Sequence, residues 1–597
     1  MSFTPRFKTL VEIYRSSVER FPSRTLFGVK EGETWLWLSY GEFAERVDAL
    51  RAALADLGVE AGDRVAIIAN NRIEWAIAAY ATYTRGAAFV PMYEAQLDKD
   101  WRHILADCGA KVVFCADGAI RDRLRAMHAE LPALAHTVVI DGRGDATSPA
   151  FAEMIERGRG KRSPIAEPDE DAIAGFIYTS GTTGMPKGVL LTHKNLAYNI
   201  SAITSIFTLS PDDRSLSFLP WAHSFGQVVE LHHLFSIGAS MGIAESVPKI
   251  IDNLAEVQPT LLISVPRIFN RIYDGLQKRL AAESPLKRRI FSAALSAASQ
   301  RKELIARGRT SALLGLKFKV LDGLALAKVR ARFGGRLKYA VSGGAAISRT
   351  VAEFIDNLGI TVYEGYGLTE TSPIVTANFP GHRRIGSVGK AIPGVRVDID
   401  TSVTGDPLNG EIVVHGHNVM KGYHELPDED AAVFTADGGF RTGDMGHVDS
   451  EGFLYITGRI KEQYKLENGK YVVPSPLEEQ LKLSPYIANV MVYGDHRPFN
   501  VALVVPDFDS VERWAKENGL SGAARQDLCR DPKVIALIEG ELREYGKEFR
   551  SFERVQKVAL IAEDFTTEND MLTPSLKLKR RVVVGRYQPR IDALYDK

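Results

Sequence analysis

Four short apolar runs recur between stretches of helical spacing: RVAIIA (64–69), AFVPMY (88–93), KVVFCA (111–116) and TVVID (137–141). Each is too short for a buried helix and rich in β-branched and aromatic residues, so each predicts a buried strand. The segments between them carry apolar residues three and four apart. Ser39 to Glu42 form a capping box, with Phe43, Val47, Leu50, Leu54 and Leu57 behind it and Gly58 as the stop. Strands alternating with amphipathic helices predict α/β layers with mostly parallel sheets.

One loop interrupts that pattern. In FIYTSGTTGMPKGVLLTHKN, from Phe176 to Asn195, six of the eight residues from Ser180 to Lys187 are Ser, Thr, Gly or Lys. Gly181 and Gly184 let the backbone turn and present its N–H groups. Ser180, Thr182 and Thr183 add hydroxyls, and Lys187 adds an ammonium. A concave run of N–H groups beside a cation suits a polyphosphate, so the loop reads as a clamp for the phosphates of ATP. A Walker A loop runs straight into a helix. Here GVLLT is extended, and a helix is expected only after Thr192, a good N-cap.

At 597 residues the chain exceeds what one core organises. Its 74 basic and 74 acidic side chains cancel, which argues against nucleic acid as a partner. Three cysteines, Cys108, Cys115 and Cys529, are too few and too scattered for a disulfide framework or a zinc site and suit a reducing cytoplasm. The opening MSFTPRFKTLVEIYRSSVERF lacks a signal-peptide core and reads as an amphipathic helix. No apolar run has the length of a membrane span.

Further along, residues 140–170 read as a surface connection, rich in Gly, Asp, Ser and Pro. SLSFLP and LLISVP read as strands. Between Tyr273 and Leu337 lies a helical insertion rich in Arg and Lys. It reads either as a cover for the sheet or as a basic amphipathic surface meeting lipid. LKYAVSGGAAIS and TVYEGYGLTETS each place a Gly-broken polar turn after a strand, where α/β sheets bind ligands. After Gly386, VRVDID, GEIVVHG and FLYITG suggest a small β subdomain. Near GRIKEQ (Gly458–Gln463) a final α/β segment begins.

Together these motifs resemble the adenylate-forming superfamily, which includes acyl-CoA synthetases, firefly luciferase and the adenylation domains of peptide synthetases. YTSGTTGMPKG, YGLTE, RTGD and GRIKE stand in that family's order. SVPRIFNRIY, the helical insertion and LTPSLKLKRR are similar to its long-chain acyl-CoA synthetase branch. The resemblance implies a large N-terminal domain over residues 1–459, with two α/β subdomains, a small β subdomain and the insertion at about 274–336. It implies a small mobile C-terminal α/β domain over 460–597, hinged at Lys461.

The resemblance also implies two half-reactions. A carboxylate attacks the α-phosphorus of ATP to give an acyl-adenylate and pyrophosphate. The thiol of coenzyme A then takes the acyl group and releases AMP. Thr179, Ser180, Gly181, Thr182, Thr183, Gly184 and Lys187 are implied at the phosphates. Glu370 is implied as the Mg²⁺ ligand, with Thr179 as a second, and Thr369 at the α-phosphate. Gly343, Gly344, Ala345, Tyr366 and Gly367 are implied around the adenine, Asp444 at the ribose and Arg459 at the ribose or phosphate. His223 stands near the acyl entrance. Lys577 is the implied catalytic lysine, although Leu576 stands where many members have Gly, and Lys579 lies close by. The expected substrate is a long- or medium-chain fatty acid. An acyl-AMP ligase serving a carrier protein, an aryl-CoA ligase and a non-catalytic homologue are the other readings. A homodimer, and a cytoplasmic protein peripheral to the inner face of a membrane, complete the expectations.

Overall fold

The four apolar runs become the parallel strands Arg64–Ile68, Ala88–Met92, Val112–Cys115 and His136–Val139, with Val65 opposite both Phe89 and Val112. The structure, a computed structural model, describes residues 3–179, 185–403, 406–520, 522–573 and 576–596. Ser180, Gly181, Thr182, Thr183 and Gly184 therefore lie outside the described residues.

Strands Ile173–Thr179 and Lys187–Thr192 extend the first sheet as an antiparallel pair with Thr179 opposite Lys187. Gly422–Tyr423 completes its seven strands. A second sheet has nine strands. At its centre Leu261–Ser264, Tyr339–Ser342 and Val362–Gly367 run parallel, with Ile263 opposite Val341 and Val341 opposite Tyr363. Its far edge is the hairpin Thr25–Glu31 and Thr34–Ser39, which docks beside Ser240–Ile243. A four-stranded antiparallel sheet follows, in the order Val395–Asp400, Gly410–Gly416, Phe440–Val448, Leu454–Arg459. Beyond it, Ile487–Tyr493, Asn500–Pro506 and Val555–Leu560 form a three-stranded sheet.

One hydrophobic core spans both large sheets. Its axis is helix Ile73–Thr84, where every residue from Trp75 onward is buried. A helix apolar on all sides belongs inside, and Tyr80 stacks on Phe235 with ring centres 4.6 Å apart. Truncating such an aromatic to Ala costs about 3–5 kcal/mol. The segment from Leu477 to Ile591 packs a separate core of its own.

Residues 140–170 are more than a connection: they contain helix Phe151–Gly158. Phe151 and Met154 are buried, and Gly158 sits so close to helix Tyr40–Asp56 that a Cβ there would lie 1.8 Å from Ala49 O. The flanking polar residues mask this short apolar face in the sequence. Helices also fill the stretch from Pro266 to Ala331.

Candidate active site

The antiparallel strands Ile173–Thr179 and Lys187–Thr192 frame the site. Thr192 caps helix His193–Ile206, its hydroxyl accepting from Asn195 N at 3.1 Å, so the chain after Lys187 stays extended as the sequence predicts. Lys187 thus begins its strand, opposite Thr179. Its ammonium lies 2.6 Å from Glu429 Oε2 and 5.5 Å from the Tyr423 ring centre. The Tyr423 phenol donates to Glu370 Oε1 at 3.0 Å. Lys187 and Glu370 are therefore linked through Tyr423 and Glu429, two residues that carried no motif in the sequence. Thr179 sits at the mouth of the same hairpin.

Glu370 and Thr369 occupy a single 3₁₀ turn, Thr369–Thr371, after strand Val362–Gly367. Thr369 is buried and its hydroxyl shares a hydrogen bond with Ser224 Oγ at 3.2 Å. Gly367 has no room for a side chain, since a Cβ would meet Pro373 O at 1.7 Å. The parallel strand Tyr339–Ser342 delivers Gly343, Gly344 and Ala345 beside it. A Cβ on Gly343 would meet the Phe225 ring at 3.0 Å, and Gly344 takes a positive φ of 81°.

Asp444 lies opposite Arg459 across the antiparallel strands Phe440–Val448 and Leu454–Arg459. That register brings Arg459 Nε within 2.9 Å of Asp444 Oδ1, while Tyr366 Oη donates to Asp444 Oδ2 at 2.8 Å. Burial pushes the Asp444 carboxyl up from its ordinary range, with Arg459 pulling the other way. The carboxylate in turn holds Arg459 protonated.

Lys577 reaches this cluster from the C-terminal segment. Its residue is exposed by surface area, yet its ammonium lies within electrostatic reach of Arg459, Asp444, Glu370 and Glu462. Desolvation and then Arg459 lower its affinity for a proton, and Asp444, Glu370 and Glu462 oppose them. His223 is held neutral, lowered to about 4 by burial and by the charge of Lys577. Its Nδ1 accepts from Phe225 N at 3.1 Å. Lys579 points elsewhere, pairing with Asp570, which also meets Lys99 at 2.8 Å. Leu576, where a Gly was expected, adopts a φ of 60°. Lys461 lies exposed in the 3₁₀ turn Ile460–Glu462, two residues past Arg459.

A small apolar cleft of about 30 Å³ borders Gly365, one residue before Tyr366. Phe225, Val229 and His233, four residues apart, line one wall, and Val341, Tyr363 and Gly365 line the other. The cleft runs from Gly365, next to Tyr366, toward Tyr339 at the opposite end of its strand. A run of four residues along a strand covers roughly 13 Å. Glu364 also borders it, and burial raises its carboxyl to about 7.

The AMP-binding enzyme family matches residues 14–424, and the AMP-binding enzyme C-terminal domain matches residues 461–597. The chain belongs to the AMP-binding enzyme family.

Within that family its similarity is to fatty-acid-activating relatives. Long-chain-fatty-acid–CoA ligase FadD15 of Mycobacterium tuberculosis is 35% identical over 570 residues, covering 94% of this chain and 93% of the relative. Long chain acyl-CoA synthetase 7, peroxisomal, of Arabidopsis thaliana is 30% identical over 621 residues, covering 99% and 87%. Among solved structures, the adenylation domain of a carboxylate reductase from Mycobacterium chelonae superposes with a TM-score of 0.81 at 23% identity, over 99% of this chain and 92% of that one. The anthranilate CoA ligase AuaEII gives 0.75 at 18% identity, with 99% of each chain covered. These two structures share the fold: a large N-terminal adenylate-forming domain and a C-terminal domain.

Proposed function

We propose that the chain activates a long- or medium-chain fatty acid with ATP and transfers the acyl group to coenzyme A. The observation that carries this reading is the convergence of Asp444, Arg459, Glu370 and Lys577 on one site, with a small apolar cleft reached one residue before Tyr366. The names of the full-length relatives, long-chain-fatty-acid–CoA ligases, agree with an apolar acid.

The roles follow from chemistry. Asp444 is acceptor-only when ionised and suits the two ribose hydroxyls, with Arg459 fixing its orientation and Tyr366 offering a ring face to the adenine. Gly343, Gly344 and Ala345 let the nucleotide approach the backbone. Lys187, with the loop from Thr179 to Gly184, holds the β- and γ-phosphates. Thr369 reaches the α-phosphate. Lys577 bridges the acid carboxylate and the α-phosphate, neutralising charge as their bond forms. His223, neutral at the cleft mouth, borders the acid without adding a charge that would compete for its carboxylate.

Magnesium fits this donor set. Among the described residues no group of three or more His, Cys, Asp and Glu could hold a metal alone. Mg²⁺ needs only one or two carboxylates when phosphates supply its other oxygens, so Glu370 with the Thr179 hydroxyl would be donors enough to hold it. The ion supplies charge neutralisation on the phosphates.

Residues 1–459 and 460–597 are the units that move against one another. Lys461 is the pivot that withdraws Lys577 and brings the turn around Gly469 toward coenzyme A. Alternation of this kind lets one cleft serve two reactions.

The test is AMP release measured over carboxylic acids of graded length, aryl acids included, with and without coenzyme A. Turnover with fatty acids that requires coenzyme A supports the reading. Adenylate formation without thioesterification makes it an acyl-AMP ligase, and preference for aryl acids makes it an aryl-CoA ligase.

A further inference from the structure

Helix Asp98–Cys108 has two faces with different partners. Trp101, Ile104, Leu105 and Cys108 are buried and fix it to the large core. Trp101 Nε1 adds a hydrogen bond to Tyr93 O at 2.9 Å. That face is enough to hold the helix in place. Lys99, His103 and Asp107 follow at intervals of four residues and form a second, polar stripe. At 1.5 Å per residue the stripe is about 12 Å long.

Two members of the stripe grip the hairpin that frames the phosphate loop. Asp107 Oδ2 accepts from the Tyr178 phenol at 2.5 Å, one residue before Thr179. His103 Nε2 lies 2.8 Å from Pro186 O, one residue before Lys187. A carbonyl only accepts, so the imidazole carries its proton on Nε2 and donates it to that bond. Thr179 and Lys187 face each other across the hairpin, so the two contacts hold opposite sides of its mouth. His424 ties the same pieces together, its Nε2 donating to Asp107 O at 3.1 Å and its backbone N–H to Gly188 O at 2.8 Å.

The third member reaches the C-terminal segment. The Lys99 ammonium lies 2.8 Å from Asp570 Oδ2, and Asp570 also pairs with Lys579, two residues beyond Lys577. Lys579 N donates to Met571 O at 2.9 Å, which joins the two arms of the segment that carries Lys577. None of Lys99, His103 and Asp107 belongs to a motif. A polar stripe on a surface helix ordinarily faces water; this one runs from the neighbours of Lys187 to the neighbours of Lys577.

We propose that Lys99, His103 and Asp107 are positioning residues that hold the phosphate loop and the segment carrying Lys577 at a fixed spacing for the first half-reaction. The inference rests on the roles given above to Lys187 and Lys577. With one lysine at the β- and γ-phosphates and the other at the α-phosphate, their spacing has to match a triphosphate, and a misplaced group costs rate. In the second half-reaction pyrophosphate has left and Lys577 is withdrawn, so the stripe has nothing to align. Its contact to Asp570 must then break. Lys99 is 53% exposed in that pair, and an exposed ion pair separates easily.

The test measures ATP binding and each half-reaction in the full chain. ATP titration needs no acid substrate. His103→Phe keeps a ring and loses the donor, and is expected to weaken ATP binding roughly fivefold or more. His103→Gln brings an amide nitrogen to the same carbonyl and is expected to stay within about twofold of wild type. Lys99→Met is expected to leave ATP binding unchanged and to slow pyrophosphate release with fatty acid about threefold. For all three variants, thioester formation from supplied acyl-adenylate and coenzyme A should stay within about twofold of wild type. His103→Gln as weak as His103→Phe, pyrophosphate release untouched by Lys99→Met, or equal losses in both half-reactions, as a purely structural role produces, overturns the proposal. Wild-type protein that binds no ATP overturns the assignment of the site and the stripe's role with it. Wild-type protein that adenylates a different acid, with the variants behaving as above, overturns only the assigned substrate and supports the stripe.

Discussion

The Lys187 ammonium rests 2.6 Å from the Glu429 carboxylate, at the mouth of the hairpin whose loop carries Thr182 and Thr183. A lysine proposed to hold phosphate is thus already paired with an acid. Nucleotide binding has to exchange one anion for the other. The pair is partly open to solvent, with Glu429 41% exposed, so its worth is about 0.5–1 kcal/mol. Glu429→Gln should therefore lower KM for ATP by roughly two- to fivefold with kcat little changed. Steady-state kinetics with varied ATP checks this, and a raised KM would show that Glu429 positions Lys187 instead of competing for it.

Leu576 holds a φ of 60° immediately before Lys577. A side chain with a Cβ in that region costs about 1–2 kcal/mol, and glycine escapes the cost while losing some entropy on folding. Because the Leu576 side chain is 54% exposed, it contributes little packing to offset the strain. Leu576→Gly should leave adenylation intact and raise stability by up to about 1 kcal/mol. Denaturant unfolding reads the change, and a clear loss of stability would mean the leucine makes a contact that matters.

Glu230 is fully buried, and desolvation lifts its carboxyl to about 7. One oxygen accepts from Ser217 Oγ at 2.7 Å and the other makes no hydrogen bond of ordinary geometry among the described residues. The folded form then holds a proton that the unfolded chain gives up near pH 4.5. Stability falls as pH rises from there through 7, by up to about 3 kcal/mol across the window. Glu230→Gln removes the ionisation. Its midpoint relative to wild type should improve between pH 5 and pH 8, and parallel pH profiles for the two proteins would contradict this.

Lys461 sits between the strand that ends at Arg459 and the C-terminal segment that carries Lys577. Proline there fixes φ and stiffens the pivot. Lys461→Pro should leave adenylate formation within about twofold of wild type and slow thioester formation by roughly tenfold or more, a loss of about 1.4 kcal/mol in the second barrier. Rapid-quench measurement of each step separates the two. Equal impairment of both would place the pivot elsewhere.

Much of this was written locally in the chain. RVAIIA and KVVFCA read as parallel strands because buried strands need no alternation. Thr192 announced its helix because a cap is a short-range event. Asp444, Glu370 and Lys187 were found through motifs that keep their order. Long-range features were not legible. The hairpin from Thr25 to Ser39 joins a sheet edge about two hundred residues away, through pairings such as Phe27 with Met241. Glu429 looks like any first-turn acid on a short helix until folding brings Lys187 to it. The choice between Lys577 and Lys579 needed three dimensions, because adjacent positions two apart in an irregular segment carry the same composition. Only the fold turns one toward Asp444 and the other toward Asp570.

The central claim is that a single cleft performs both steps and that Lys577 serves the first. Lys577→Ala, assayed in separated half-reactions, tests this most directly. Pyrophosphate release from ATP and fatty acid should fall at least about a thousandfold, roughly 4 kcal/mol of lost charge stabilisation. Thioester formation from supplied acyl-adenylate and coenzyme A should stay within about threefold of wild type, because the lysine has by then left the cleft. Equal losses in the two half-reactions would contradict the account.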